Sequence, residues 1–152
     1  MTAKTPYKPA LQVAVDLLAR REHTVLELSR KLQQRGFGAE EIDAAIDKLQ
    51  AKNLLSEERF TESYINMRRR KGYGPLRIEQ ELRQRGVGDE LIDELLDRNH
   101  RQWRQSLAEQ YQRKYGDNAP QDYAEKAKRT RYLHNRGFPL DWILKVDSLD
   151  DV

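Results

Sequence analysis

Three stretches of the chain obey one pattern, Leu-x-x-Arg-Gly-apolar-x-x-acid-x-Ile, at Leu32–Ile42, Leu82–Ile92 and Leu133–Ile143. The copies lie 50 and then 51 residues apart. Self-similarity at such a period is the signature of tandem supersecondary units, each too small to bury its apolar face alone. The chain is therefore read as an array of repeats.

Every position of the pattern has a local physical cause. The leucine is a core position near the end of one helix, and the glycine supplies the left-handed backbone that stops it. Arg35, Arg85 and Arg136 fall in the last turn, where a cation complements the negative end of the helix dipole. The acid then sits in the first turn of the next helix, whose buried stripe begins at Ile42, Ile92 or Ile143.

The remaining periodicity completes a helix-helix-helix unit. Ile42, Ala45, Ile46 and Leu49 recur at i, i+3, i+4 and i+7, and Leu91, Ile92, Leu95 and Leu96 form the comparable face of the second unit. First helices are expected over Leu11–Arg20, Ser56–Lys71 and about His100–Tyr115, with Phe60, Tyr64 and Met67 and then Trp103, Leu107 and Tyr111 facing inward. Ser56 reads as an N-cap, Pro75 as the first residue of a helix, and Pro120 as a marker near the equivalent start in the third unit. No alternating strand pattern is present. The expected fold is all-α, with three tandem three-helix, helix-turn-helix-like repeats over 10–53, 54–99 and 100–147, a disordered segment over 1–9 and an acidic tail over 148–152.

Apolar residues make up 38% of the 152 positions and charged residues 35%, so each unit can bury only a thin core, which favours an elongated array. Cysteine is absent, which excludes disulfides and thiolate metal sites and fits a cytoplasmic location. No stretch approaches the ~20 apolar residues a membrane span needs. His23, His100 and His134 fall in separate units without metal-ligand spacing, no phosphate-binding loop is present, and no nucleophile sits in a recognisable elbow. Neither a metal, a cofactor nor an enzymatic activity is expected.

Charge is blocked out along the chain although the net is only +3. Arg68–Arg85 holds seven basic residues against two acidic ones, whereas Asp89–Asp97 holds five acidic residues and no basic one. A second basic stretch runs from Arg113 to Arg136. Alternating blocks of this kind suit a partner that itself carries both signs.

The most specific segment is Arg68-Arg69-Arg70-Lys71-Gly72-Tyr73-Gly74-Pro75-Leu76-Arg77, four consecutive cations followed by an aromatic residue between two glycines. With Ser56-Glu57-Glu58-Arg59-Phe60 upstream and Arg113-Lys114-Tyr115-Gly116 downstream, it resembles the RecX family, regulators of the RecA recombinase. That resemblance implies a curved array of three three-helix repeats, docked in the helical groove of a RecA filament on single-stranded DNA. It also implies suppression of filament growth, ATP hydrolysis, strand exchange and co-protease activity, and so an effect on DNA repair and the SOS response. On this chain the matching filament-facing positions are Arg68, Arg69, Arg70, Lys71, Tyr73 and Arg77, with Lys126, Lys128, Arg129 and Arg131 as a second candidate patch. The chain is expected to be monomeric, with weak contact to single-stranded or duplex DNA. The rival readings are a helix-turn-helix-like protein acting directly on DNA and a helical adaptor for another protein.

Overall fold

The computed structural model of the chain describes residues 8–99 and 101–147. Among the described residues the regular structure is helical throughout. Repeat 1 holds α1 (Ala10–Arg20), α2 (Val25–Gln34) and α3 (Ala39–Ala51). Repeat 2 holds α4 (Glu57–Arg70), α5 (Pro75–Gln84) and α6 (Asp89–Leu95), and repeat 3 holds α7 (Arg101–Tyr115), α8 (Tyr123–Asn135) and α9 (Leu140–Asp147). The acidic tail over 148–152, residues 1–7 of the N-terminal segment and His100 lie outside the described residues. Pro9 is already the N-cap of α1. No described helix is long and apolar enough to cross a membrane.

The repeated motif stops a helix in the same way each time. Gly36, Gly86 and Gly137 take φ of 93°, 91° and 105°. The next amide, that of Phe37, Val87 or Phe138, reaches back to the carbonyl of Leu32, Leu82 or Leu133 at 3.2, 3.0 and 3.3 Å. This 6→1 closure, with the glycine amide bonded to the carbonyl three residues back, satisfies carbonyls that the helix end would otherwise leave unpaired.

Helix starts are fixed as locally. Thr24 and Glu27 form a reciprocal capping box on α2, Ser56 Oγ accepts from the Arg59 amide at 3.1 Å, and Pro75 is the first residue of α5. In repeat 3 the helix begins later than Pro120 suggests. Asp122 caps α8 by accepting from the Glu125 amide at 2.8 Å, because a carboxylate there satisfies a free amide that proline cannot reach.

The repeats do not keep three equal cores. Repeat 1 closes on itself around Leu28, Leu32, Ile42, Leu49 and Leu55, all at most 3% exposed. Repeats 2 and 3 share one continuous core, in which Ile78, Leu82 and Ile92 pack in the same cluster as Leu107, Leu133, Phe138 and Ile143. Each such side chain contributes about 1.5–3 kcal/mol of burial, so sharing compensates for the thinness of the individual units.

Successive repeats are joined by the Arg-Gly corner. Between repeats 1 and 2, Thr24 Oγ1 donates to the Arg85 carbonyl at 2.6 Å and Arg85 Nη1 donates to Glu27 Oε2 at 3.0 Å. Between repeats 2 and 3, the Gly74 amide donates to the Arg136 carbonyl at 2.8 Å and the Leu76 amide to the Gly137 carbonyl at 2.9 Å. In both cases the end of one repeat's middle helix sits on the start of the middle helix before it. The arginines of the motif thus do more than complement a dipole.

Candidate functional site

The cationic tract that ends α4 divides between interior and surface. Tyr64 is buried, and Arg68, one helical turn on, continues its stripe. Its Nε and Nη2 donate to the two carboxylate oxygens of Glu81 at 2.9 and 2.8 Å, a bidentate pair. Burial alone would ease the Arg68 proton off, but Glu81 more than offsets this and holds its pKa above the ordinary arginine value.

Tyr73 is half-buried and packed among guanidinium groups. Guanidinium carbons of Arg68, Arg136 and Arg77 stand 3.8, 4.2 and 4.6 Å from its ring centroid, within cation–π range. Arg136, from repeat 3, also donates to the carbonyls of Lys71 at 2.7 Å and Gly72 at 3.1 Å. Arg77 donates to the Asn135 carbonyl at 3.2 Å. Arg68, Tyr73 and Arg77 therefore form a seam between repeats, with only Arg77 well exposed.

Arg69, Arg70 and Lys71 stay on the surface side. Arg69 bonds to Asn66 Oδ1 and Gln102 Oε1, while Arg70 and Lys71 are exposed. A groove of about 490 Å³ opens beside them between α4 and α7, and Arg113, Gln102, Gln105 and Gln110 complete its polar walls together with Glu109. Arg70 also borders a second groove of about 620 Å³ between repeats 1 and 2, floored by Phe60, Tyr64 and Met67. Guanidinium groups and carboxamides at a shallow, open surface suit phosphate and carboxylate groups of a macromolecule. The α7 glutamines escaped the sequence reading. Their signal was available, since Gln102, Gln105 and Arg113 follow helical spacing on the side away from Trp103, Leu107 and Tyr111.

The second patch requires one correction. Lys126, Lys128 and Arg131 are exposed on α8, but Arg129 is only 4% exposed and cannot present itself to a partner. It donates to Tyr111 Oη and the Asn118 carbonyl, both at 2.8 Å, and to Glu125 Oε1 at 2.7 Å, and stacks on Tyr115. It ties the long α7–α8 connection to the core. Lys128 instead shares a cationic rim with Lys114, whose Nζ lies 3.4 Å from the Tyr132 ring centroid.

The third helices of the first two repeats carry the opposite sign. Glu40, Glu41, Asp43 and Asp47 line α3, and Asp89, Glu90, Asp93 and Glu94 line α6; all are exposed. Helices of this charge would be repelled from a phosphate-lined groove.

Comparison with known proteins places the chain. Family models for the first, second and third three-helix domains of RecX match residues 10–49, 56–96 and 102–146. The Regulatory protein RecX of Pseudomonas savastanoi pv. phaseolicola (strain 1448A / Race 6) is 48% identical over 137 residues, spanning 90% of this chain and 88% of that protein. That of Pseudomonas putida (strain GB-1) is 46% identical over 143 residues, spanning 92% of each. The crystal structure of RecX from Lactobacillus salivarius superposes with a TM-score of 0.77 over 94% of this chain and 96% of that one, at 23% identity, and so shares the fold. With all three repeats matched in order and nearly half the residues shared with full-length relatives, the chain belongs to the RecX family.

Proposed function

We propose that this protein binds the RecA filament on single-stranded DNA within its helical groove and inhibits the recombinase, ATPase and co-protease activities of RecA without catalysing a reaction itself. The observation that carries the reading is the cationic surface of half-buried Arg69 with exposed Arg70 and Lys71, of which Arg69 and Arg70 line the α4–α7 groove with Arg113, while the third helices α3 and α6 are strongly acidic. A surface that alternates in sign along tandem repeats suits a polymer of protein and phosphate whose sites recur. Lys126, Lys128 and Arg131 on α8 supply a second contact to the same polymer.

The acidic character of α3 and α6 disfavours the rival reading, in which the last helix of each triplet would enter a DNA groove. Naked duplex DNA should accordingly be bound weakly, with a shallow dependence on salt.

The deciding experiment titrates the protein into RecA hydrolysing ATP on single-stranded DNA. Hydrolysis should fall as the protein approaches a few-fold molar excess. Undiminished hydrolysis, or tight salt-sensitive binding to duplex DNA without RecA, would reject the reading.

A further inference from the structure

The Arg-Gly corner is used twice inside the chain and is open a third time. In repeat 2 it seats against the start of α2, where a Cβ on Gly86 would lie 2.6 Å from the Leu26 Cβ. In repeat 3 it seats against the start of α5, where a Cβ on Gly137 would lie 2.5 Å from the Arg77 Cβ. The corner of repeat 1 has the same backbone, with Gly36 at φ 93° and the same closing hydrogen bonds. Yet among the described residues nothing lies within 4 Å of a Cβ placed on Gly36, and Arg35 is exposed.

The far end of the array offers the matching seat. α8 starts with exposed Asp122, Tyr123 and Ala124, and Tyr123, at 85% exposure, is the most open large apolar side chain among the described residues. The acid three residues past the cap corresponds as well. Glu27 on α2 accepts from the Thr24 amide, from Arg21 of its own repeat and from Arg85 of the next. Glu125 on α8 accepts from the Gln121 amide and from Arg129 of its own repeat. The third position, which Arg85 fills on Glu27, is unfilled on Glu125 among the described residues, and an ionised carboxylate has lone pairs to spare for it.

We infer that a second copy of this chain continues the array head to tail, with Arg35 and Gly36 of one molecule seated on Asp122, Tyr123 and Glu125 of the next. The contact is heterologous, so it propagates into open chains of molecules or closes into rings. Inside the chain the same junction benefits from covalent linkage, which supplies a high effective concentration; between molecules it lacks that help and is correspondingly weak. Association therefore replaces the expected monomer only at high local concentration, such as along a shared polymer. The inference stands apart from the recombinase reading, because it rests on the repeat geometry alone.

Sedimentation velocity of the full chain from micromolar to millimolar concentration tests it. The weight-average sedimentation coefficient should climb with concentration. Arg35→Glu and Tyr123→Asp, each at an exposed position and each leaving the melting temperature in place, should weaken association by about tenfold or more. A one-to-one mixture of the two variants retains a single intact interface, between Arg35 of the Tyr123→Asp chain and α8 of the Arg35→Glu chain, and should form dimers and nothing larger. A wild-type chain that stays monomeric throughout, a variant that associates like wild type, or a mixture that stays monomeric would each overturn the inference.

Discussion

The Gly74 amide donates to the Arg136 carbonyl at 2.8 Å, bringing the turn before α5 against the corner that ends α8. The approach is so close that a Cβ on Gly74 would stand 2.5 Å from the Gly137 carbonyl carbon and oxygen. Gly74 itself has an ordinary extended backbone, so it is glycine for space rather than for conformation. Gly74→Ala should therefore cost about 1–3 kcal/mol by forcing repeats 2 and 3 apart. Hydrogen exchange should accelerate at residues 72–77 and 133–138 while the repeat 1 core keeps its protection; unchanged exchange at this junction would contradict the packing.

Arg129 and its neighbours on α8 separate structure from docking. Arg129→Ala leaves Tyr111 Oη, the Asn118 carbonyl and Glu125 without their donor, and should cost about 2–4 kcal/mol in urea unfolding. Lys126→Ala, Lys128→Ala and Arg131→Ala should each stay within about 0.5 kcal/mol of wild type. Equal effects across the four positions would refute the burial of Arg129.

The tract at the end of α4 makes a parallel contrast. Arg69→Glu with Arg70→Glu should raise the concentration needed for half-inhibition of RecA ATP hydrolysis by about tenfold or more, with little change in melting temperature. Arg68→Glu instead sets a second carboxylate against Glu81 in a part-buried site and should lower the melting temperature measurably. If the surface pair melts the protein while Arg68→Glu does not, the division between seam and surface is wrong.

Acid should destabilise repeat 1 at the turn that leads into α2. His23 is buried, lies 3.0 Å through Nδ1 from the Arg21 carbonyl and receives Lys31 Nζ at Nε2, 2.8 Å away. Burial, followed by the nearby cations, depresses its pKa below the ordinary 6.5. The unfolded chain therefore takes up a proton that the folded chain resists, and stability present above about pH 6.5 is lost as pH falls below it. Glu27, in which hydrogen bonds from Thr24 and Arg21 outweigh the opposing effect of burial, has a lowered pKa and loses its contribution only below about 4.5. Thermal unfolding between pH 7.5 and 5.5 should thus show a decline that His23→Gln flattens; an unchanged slope in that variant would exclude His23 as its source.

Helix ends, the order of the triplets and the all-α class were readable from residues because their causes are local. A glycine at positive φ, an oxygen at an N-cap and apolar residues at helical spacing act within a turn or two of themselves. Part of the division among the cations was readable by the same rule. Arg129 precedes the buried Leu133 by four residues, and Arg68 follows the buried Tyr64 by four, so both lie on core stripes that a count of basic residues passes over.

Which cations face a partner depends on contacts between residues far apart in the chain. Glu81 reaches Arg68 across a turn, and Arg136 holds the carbonyls of Lys71 and Gly72 from a different repeat. A long guanidinium side chain takes whichever acceptor the packed helices bring within reach, and spacing along one helix does not encode that acceptor. The merging of two cores into one has the same origin, since two apolar faces join when packing brings them together. Local chemistry thus wrote the repeats, while assembly of the repeats turned the Arg-Gly motif into a joint and left Arg69, Arg70 and Lys71 on the outside.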